Sequence, residues 1–310
     1  MGEQIAPPVR GRPRRRPKRS RLRARRAVAL VALLATLAVV GVLGSLALRA
    51  LRESSPPPPP PTATVVPPPK PLKIVFPEGF TIDEMAERIS AVNTIAKERR
   101  NVTPKLKAAE YRRLTRRSKL PGEFAGDAKP RSLEGFLFPA TYEFLPKTTT
   151  KQLVNKQLVA FDKAWDQLDL GYARSKNLTD YDVLIIASMI EKETLAPEER
   201  PKVAAVIYNR LKLGMSLGID ATLRYGLDIP PTESIRQSQL DSDNPYNTRK
   251  FPGLTPTPIA NPGLASLQAA AHPADVDYLY FVRKPDKVHH FFTASAAEFE
   301  QYLADNGYGP

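Results

Sequence analysis

The chain has 310 residues, no cysteine, three histidines and a net charge of +14. The lack of cysteine excludes disulfides, thiolate metal sites and cysteine nucleophiles. Residues 1–26 hold eleven Arg or Lys and one Glu, so this tail carries +10 and all other residues together only +4. The basic excess belongs to a terminal tail, and we expect no nucleic-acid partner for the folded part.

An uncharged run follows the tail. Residues 27–48 are 22 in number, rich in Val, Leu and Ala, and long enough as a helix to span a bilayer. Because the basic residues precede the run, the N-terminus is predicted to be cytoplasmic. The sequence thus predicts a single-pass protein of the cytoplasmic membrane whose folded part is extracytoplasmic. A cleaved signal peptide is the alternative, but the run is long for one and no clear cleavage site follows.

Residues 49–71 are rich in proline and are predicted to form an extended linker. Folded sequence then starts near Leu72, with a strand over residues 73–76 and a turn at 77–79. Thr81 and Glu84 have the spacing of a capping box, which marks the start of a helix. We assign residues 72–130 to a small module with connecting helices. Within it, the Lys- and Arg-rich run from about Val92 to Leu120 is predicted to be helical and exposed.

Residues 131–310 are predicted to form a second, larger domain. Its helices and strands follow no regular βαβ rhythm, so the fold class is α+β rather than α/β. The predicted elements, in order, are a strand at 141–144, a helix capped by Thr149 or Thr150, an apolar helix at 184–194, a helix that begins at Pro197, and strands at 278–282 and 291–292.

The apolar helix ends in two glutamates with different surroundings. At about 100° per residue, Ile186, Met189, Ile190 and Glu193 fall in one narrow sector, while Glu191 lies almost opposite. A carboxyl group next to an apolar stripe is desolvated, which raises its pKa and suits a general acid near neutral pH. We predict that Glu193 is the catalytic acid, with Glu191 as the alternative.

Several ordered blocks of the chain resemble the MltG/YceG family of endolytic murein transglycosylases. The blocks are residues 132–139, 187–194, 199–200, 206–211, 246–248, 258–263, 272–274 and 278–282. The resemblance implies an enzyme of the cytoplasmic membrane with a LysM-like module and a YceG-like catalytic domain. Such an enzyme cleaves the MurNAc–GlcNAc β-1,4 bond of peptidoglycan glycan strands and leaves 1,6-anhydroMurNAc ends, without a cofactor. Glycan strands are then the substrate, and peptidoglycan synthases or division proteins are candidate partners.

The resemblance also points to site residues. The catalytic Glu of the family lies in the Glu191-Lys192-Glu193 motif, and Glu193-Thr194 is similar to the Glu-Ser pair of other lytic transglycosylases. A glutamine that is usual in the family is Gly218 here. The candidate substrate-binding residues are Asp220, Tyr246, Asn247, Asn209 and His290.

The two neighbouring histidines, His289 and His290, are predicted to point to opposite sides of a strand, so we expect no metal site. Two other functions fit the same sequence. One is a peptidoglycan hydrolase (a muramidase), because hydrolysis needs the same acid. The other is a non-catalytic cell-wall-binding scaffold for division or elongation, in which the module near residues 72–89 binds the wall.

Overall fold

A computed structural model describes residues 19–53, 70–126 and 131–308. The chain divides into two compact units, Met1–Pro67 and Pro68–Pro310. Most of the predicted basic tail and linker, residues 1–18 and 54–69, lie outside the described residues. The helices are α1 Arg19–Glu53, α2 Ile82–Arg100, α3 Ala108–Arg116, α4 Thr150–Trp165, α5 Gly171–Ser175, α6 Asp180–Glu193, α7 Arg200–Lys212, α8 Asp220–Gly226, α9 Gln237–Leu240, α10 Leu264–Ala271 and α11 Ala296–Asp305, and the strands are β1 Leu72–Val75, β2 Thr141–Phe144, β3 Tyr280–Arg283 and β4 His290–Thr293.

The first unit contains the predicted apolar helix. Within α1, the segment Arg25–Arg52 has 28 residues and contains an 18-residue window with a mean hydropathy of 2.6, so its length and composition suffice to cross a membrane. The predicted span at 27–48 lies inside this segment. Its helical structure is confirmed, and its crossing of a bilayer stays a prediction.

The second unit begins with a two-stranded antiparallel sheet. β1 pairs with β2 so that Leu72 faces Phe144, and the chain between the strands forms α2 and α3. Buried Leu72 and Ile74 alternate with exposed Lys73 and Val75, as the two faces of a strand require. The pairing joins residues on both sides of the predicted boundary at residue 130. The division of this unit into a module and a larger domain, and the LysM-like character of the module, stay predictions.

The predicted exposed helix from Val92 to Leu120 is wrong in two respects. Asn101 adopts a left-handed conformation with φ 50° and ends α2, as asparagine does at helix C-termini. The shorter α3 then buries the ring of Tyr111 completely, and the Tyr111 hydroxyl donates to Gln157 Oε1 at 2.8 Å. One apolar side of α3 therefore belongs to the core, and the many basic residues around it concealed that side.

Helix α6 lies at the centre of the second unit. Thr179 caps it, and each residue from Val183 to Ile190 is buried. Helices α7, α8 and α10 all contact it. A helix that is apolar all round is enclosed on every side, so the two terminal glutamates of this helix both extend into protein surroundings.

A second antiparallel sheet closes one side of the unit. β3 pairs with β4 so that Phe281 faces Phe292, and α11 packs on this sheet. The Phe291 and Tyr302 rings stack with centroids 4.1 Å apart. The predicted strand at 278–282 begins two residues later than expected, at Tyr280, and is half-buried. Mixed helices and small sheets confirm the predicted α+β class.

Residues 259–263, which we call the junction segment, tie the core helix to the rest of the unit. The Ile259 N–H donates to Ser188 Oγ of α6 at 3.0 Å, and the Asn261 N–H donates to the carbonyl of Phe80 at 3.0 Å. The fully buried Asn261 side chain accepts from the N–H groups of Gly135 and Leu137 at 2.9 Å each. One short segment thus joins α6, the turn before α2 and the loop before β2.

A buried carboxyl group supports the junction segment. Glu134 is 2% exposed, and its oxygens accept from the Ile82 N–H at 3.1 Å, the Asn261 amide at 2.7 Å and the Tyr225 hydroxyl at 3.2 Å. Burial raises the pKa of Glu134 to about 8, and the three donors oppose that shift. A buried carboxyl with this many partners is costly to remove singly, because the donors would lose their acceptor.

We predict that Glu134→Leu lowers the free energy of unfolding by about 2–4 kcal/mol, since it leaves the Ile82 N–H and one N–H of the Asn261 amide buried without an acceptor. Glu134→Gln keeps one acceptor oxygen and is expected to cost less than half as much. Urea unfolding of the full chain in detergent at pH 7 measures both. Equal stability of the Leu and Gln variants would contradict this role.

Candidate active site

The C-terminal end of α6 is closed by side chains from two directions. The Thr194 hydroxyl donates to the carbonyl of Ile190 at 2.7 Å, and Arg283 Nη2 donates to the carbonyl of Glu193 at 2.9 Å. These bonds satisfy carbonyls that a helix end leaves unpaired, and the Arg283 cation suits the negative end of the helix dipole. Glu193 is thereby held at the junction of α6 with β3.

Glu193 lines a cavity of about 830 Å³ between the end of α6, the start of α8, β3 and α11. This volume is within the range of small-molecule and substrate sites. The lining residues are Lys192, Glu193, Arg210, Leu217, Gly218, Ile219, Asp220, Ala221, Arg224, Pro231, Arg249, Phe281, Val282, Arg283, His290, Phe299, Leu303 and Tyr308.

The carboxyl group of Glu193 is tuned toward neutral pH. Burial raises its pKa to about 7, because a desolvated carboxylate is unfavourable. The nearby charge of Asp220 raises the pKa further, whereas Arg283, Arg249 and the Ala221 N–H lower it. Desolvation is the largest effect, so Glu193 exchanges its proton close to the pH at which a general acid and base must work.

Asp220 lines the same cavity as Glu193 but has different surroundings. It is the first residue of α8, about half exposed, and receives a hydrogen bond from Arg249 Nε at 2.6 Å. The guanidinium of Arg249 is therefore the charge partner of Asp220. The cavity therefore holds two carboxyl groups in unlike surroundings, one desolvated and one paired with a cation.

His290 lies at the wall of the same cavity. It is 4% exposed. Its backbone N–H donates to Glu199 Oε1 at 3.0 Å, and its ring Nδ1 lies 2.7 Å from Glu199 Oε2. This pairing fixes the orientation of the His290 ring against the Glu199 carboxyl group. The preceding His289 is half exposed and pairs with Asp286 at 3.0 Å, so the two histidines do have opposite surroundings.

Glu191 does not line the cavity, although its side chain is only 7% exposed. Its Oε2 accepts from the Gly263 N–H of the junction segment at 3.0 Å, and its Oε1 lies 3.9 Å from Arg200 Nη2. The Glu191 side chain thus lies against backbone and a cation rather than beside this open volume.

The structure brings three of the predicted site residues together in the cavity: Glu193, Asp220 and His290. Three others lie elsewhere. The Asn209 amide donates to the carbonyls of Val276 and Tyr278, and the Asn247 amide donates to those of Leu240 and Ser242. The Tyr246 hydroxyl bonds Thr257 Oγ1 at 2.8 Å, and its ring packs on Tyr225. A substrate contact by these three stays a prediction.

Sequence analysis missed the cationic and aromatic lining of the cavity. Arg249 and Arg283 flank Glu193 but lie 56 and 90 positions further along the chain. Phe299 and Tyr308 come from α11 and the turn after it. The one feature of the sequence that could have indicated this lining is Arg283, which directly follows the predicted apolar strand at residues 278–282.

A second cavity in the described part of the second unit, of about 820 Å³ beside β2 and α4, is as large, but no carboxyl group lines it. Its lining residues are Tyr142, Leu145, Lys147, Thr148, Thr149, Gln152, Asn155, Lys156 and Val159. The cavity at Glu193 is thus the better candidate for acid–base work.

The raised pKa of Glu193 has a consequence for stability. Between about pH 4.5 and about pH 7 the folded chain keeps a proton that the unfolded chain has lost, so the free energy of unfolding falls as pH rises through this window. We predict that Glu193→Gln removes this contribution and is more stable than the wild type above pH 7. Urea unfolding at several pH values checks it. Glu300→Gln, at an exposed position, is the control and should follow the wild type.

For Glu191 we predict a structural effect. Glu191→Ala leaves the Gly263 N–H without its acceptor and Arg200 without its carboxylate, and should lower the free energy of unfolding by about 1–3 kcal/mol. Glu191→Gln retains an acceptor oxygen and should cost less. Thermal unfolding monitored by circular dichroism distinguishes them. An alanine variant as stable as the wild type would argue against a structural role.

Comparison with known proteins supplies independent information. The sequence model of the YceG-like family matches residues 58–305. An endolytic murein transglycosylase of Bacillus subtilis (strain 168) is 39% identical over 152 residues, which is 49% of this chain and 42% of that protein. One of Streptococcus pneumoniae (strain ATCC BAA-255 / R6) is 34% identical over 251 residues, 75% of this chain and 42% of that protein. The chain therefore spans less than half the length of these relatives.

The fold has a counterpart among solved structures. A crystal structure of a YceG-like protein from Listeria monocytogenes superimposes with a TM-score of 0.58 at 29% sequence identity. The match covers 76% of each chain.

Proposed function

Because the chain belongs to the YceG-like family, we propose that it is an endolytic murein transglycosylase that cleaves peptidoglycan glycan strands. The observation that carries the proposal is the Glu193 carboxyl, which lines a cavity of about 830 Å³ and has a pKa raised to about 7. The names of the Bacillus and Streptococcus relatives supply the substrate class. The chemistry proposed for this chain rests on its own residues.

In the first step, protonated Glu193 donates its proton to the oxygen that links N-acetylmuramic acid to N-acetylglucosamine. The bond from that oxygen to C1 breaks, and the acetamide of the substrate stabilises the cationic sugar. In the second step, ionised Glu193 takes the proton of the C6 hydroxyl while that oxygen attacks C1. The products are a 1,6-anhydro end and a free hydroxyl, and no water is consumed.

The surroundings of Glu193 fit this double use. A carboxyl with a pKa near 7 is present in both protonation states at neutral pH, so it can give a proton and take it back. Burial is the main cause of the raised Glu193 pKa, and the nearby Asp220, which pairs with Arg249, adds to it. His290, fixed by Glu199, offers a polar ring at the wall for a sugar hydroxyl.

Hydrolysis of the same bond is the second candidate. Asp220 lines the same cavity as Glu193, and a pair of carboxyl groups is what an ordinary glycosidase uses to activate water or trap the sugar. The two reactions differ in the product end, since hydrolysis leaves a reducing sugar.

The test incubates the full chain in detergent with purified peptidoglycan and identifies product ends by mass spectrometry. We expect 1,6-anhydro ends from the wild type, and a rate lower by about a hundredfold to ten-thousandfold for Glu193→Gln, because the acid is lost. Glu191→Gln, which keeps the acceptor for Gly263, is the matched control and should remain active. The rate should also fall above about pH 7, as Glu193 loses the proton that the first step needs.

Three outcomes would change the proposal. Reducing ends would identify a hydrolase. Loss of activity in Glu191→Gln, with Glu193→Gln active, would move the acid to Glu191. A folded wild type that binds the polymer and cuts no bond would favour a wall-binding scaffold.

A further inference from the structure

The cavity at Glu193 carries more positive than negative charge. Five cationic side chains line it against two carboxyl groups, Glu193 and Asp220. The cations are Lys192, Arg210, Arg224, Arg249 and Arg283. Cleavage of a glycosidic bond by one acid does not require so many cations, and those near Glu193 even lower its pKa. They therefore need an explanation of their own.

Some of these cations hold the backbone. Arg210 donates to the carbonyls of Leu279 at 2.6 Å, Leu217 at 2.8 Å and Ser216 at 3.1 Å. Its guanidinium is thereby used to fix the loop before α8 against β3. Lys192 donates to a backbone carbonyl at 3.2 Å. These two have structural work that accounts for their positions.

Arg224 also holds a loop. From Nη1 it donates to the carbonyls of Pro230 and Glu233 at 2.9 Å each. That leaves Arg249 and Arg283, whose charges both act on the Glu193 carboxyl.

Within the described residues, only part of each guanidinium group of Arg249 and Arg283 is hydrogen-bonded. Arg249 donates from Nε to Asp220, and its side chain is about half exposed. Arg283 donates from Nη2 to the carbonyl of Glu193. Within residues 70–126 and 131–308, no acceptor engages the remaining guanidinium nitrogens of either residue. A guanidinium with free N–H groups at a cavity wall matches the two oxygens of a carboxylate.

We propose that Arg249 and Arg283 bind a carboxylate of the substrate, so that the enzyme requires a glycan strand with an ionised carboxylate beside the bond it cuts. This inference rests on the proposed function. The carboxylate has two possible sources in such a strand: a peptide stem, or the lactyl group of muramic acid where the stem is absent. The chemistry recognised is the same in both.

Binding of this carboxylate also affects the acid. The positive charges of Arg249 and Arg283 lower the pKa of Glu193, and a bound anion offsets them. The proton on Glu193 is then held more firmly when substrate is present than when the cavity is empty. Substrate binding would thus favour the protonation state that the first step needs.

The experiment compares two matched pairs of glycan strands with the full chain in detergent. One pair carries peptide stems, with their carboxyl groups either free or converted to amides. The other pair lacks stems, with the lactyl carboxyl either free or amidated. For each strand kcat and KM are measured, and the preference is the ratio of kcat/KM for the free and amidated members of a pair.

We expect the wild type to prefer the free member of one pair by about tenfold or more, as a charge-assisted pair predicts. Preference within the stem pair assigns the carboxylate to the stem, and preference within the stemless pair assigns it to the lactyl group. Arg249→Gln and Arg283→Gln should bring that ratio close to one. Arg249→Lys and Arg283→Lys, which keep the charge without the fork, should retain part of it.

Arg116→Gln on α3 is the matched control, since Arg116 pairs with Asp83 far from the cavity lining, and it should keep the wild-type ratio. If Arg283→Gln does not fold, Arg249→Gln, at a half-exposed position, carries the test alone. Equal rates within both pairs for the wild type, or an unchanged ratio in Arg249→Gln, would overturn the carboxylate site. No cleavage of any strand by the wild type would instead refute the proposed function.

Discussion

The junction segment is the constraint on which the second unit depends. Residues 259–263 cross the end of α6, and their hydrogen bonds reach Ser188 and Glu191 on that helix and Phe80 in the turn before α2. In this buried segment the N–H groups of Ile259, Asn261 and Gly263 are all hydrogen-bonded, and Glu134 serves as acceptor for the Asn261 amide. The position of α6, and therefore of Glu193, follows from this network. A buried polar network of this kind fixes one arrangement, because any other would leave its members unpaired.

The same network explains why two glutamates two residues apart have different roles. Glu191 accepts a hydrogen bond from the Gly263 N–H and lies beside the Arg200 guanidinium, so both of its carboxyl oxygens have partners within the protein. Glu193 lies past the last apolar residues of α6, where Arg283, Arg249 and the Ala221 N–H only partly offset the cost of its burial. Desolvation therefore dominates its pKa. Helix α6 and the helices packed on it supply the apolar surroundings of Glu193. The loop before α8 lines the open volume that a substrate needs.

Glu193 could be singled out from the sequence, but its environment could not. The apolar run of α6 and the Glu-Lys-Glu ending are local features, and the strands at β1 and β2 were evident from residue type alone. The sequence placed Asn247 and Asn209 among the substrate contacts, yet their amides serve backbone carbonyls. Whether an asparagine faces a cavity or a loop depends on tertiary packing, which residue type does not encode. The buried side of α3 was not predicted for a related reason, because the Arg and Lys residues around Tyr111 dominate the sequence pattern of that segment.

By itself the sequence determined the apolar helix near the N-terminus, the α+β class and the two-glutamate motif, because these depend on composition, periodicity and short-range spacing, and the resemblance of its ordered motifs pointed to the family. Only the tertiary structure decided which glutamate lines the cavity, that Glu134 and Asn261 hold the fold together, and that Arg249 and Arg283 flank the acid. Those facts depend on residues more than fifty positions apart, brought together by the burial of α6 and the pairing of β3 with β4. Charge and solvent exposure at the site are properties of that assembly, and no segment of the chain carries them alone.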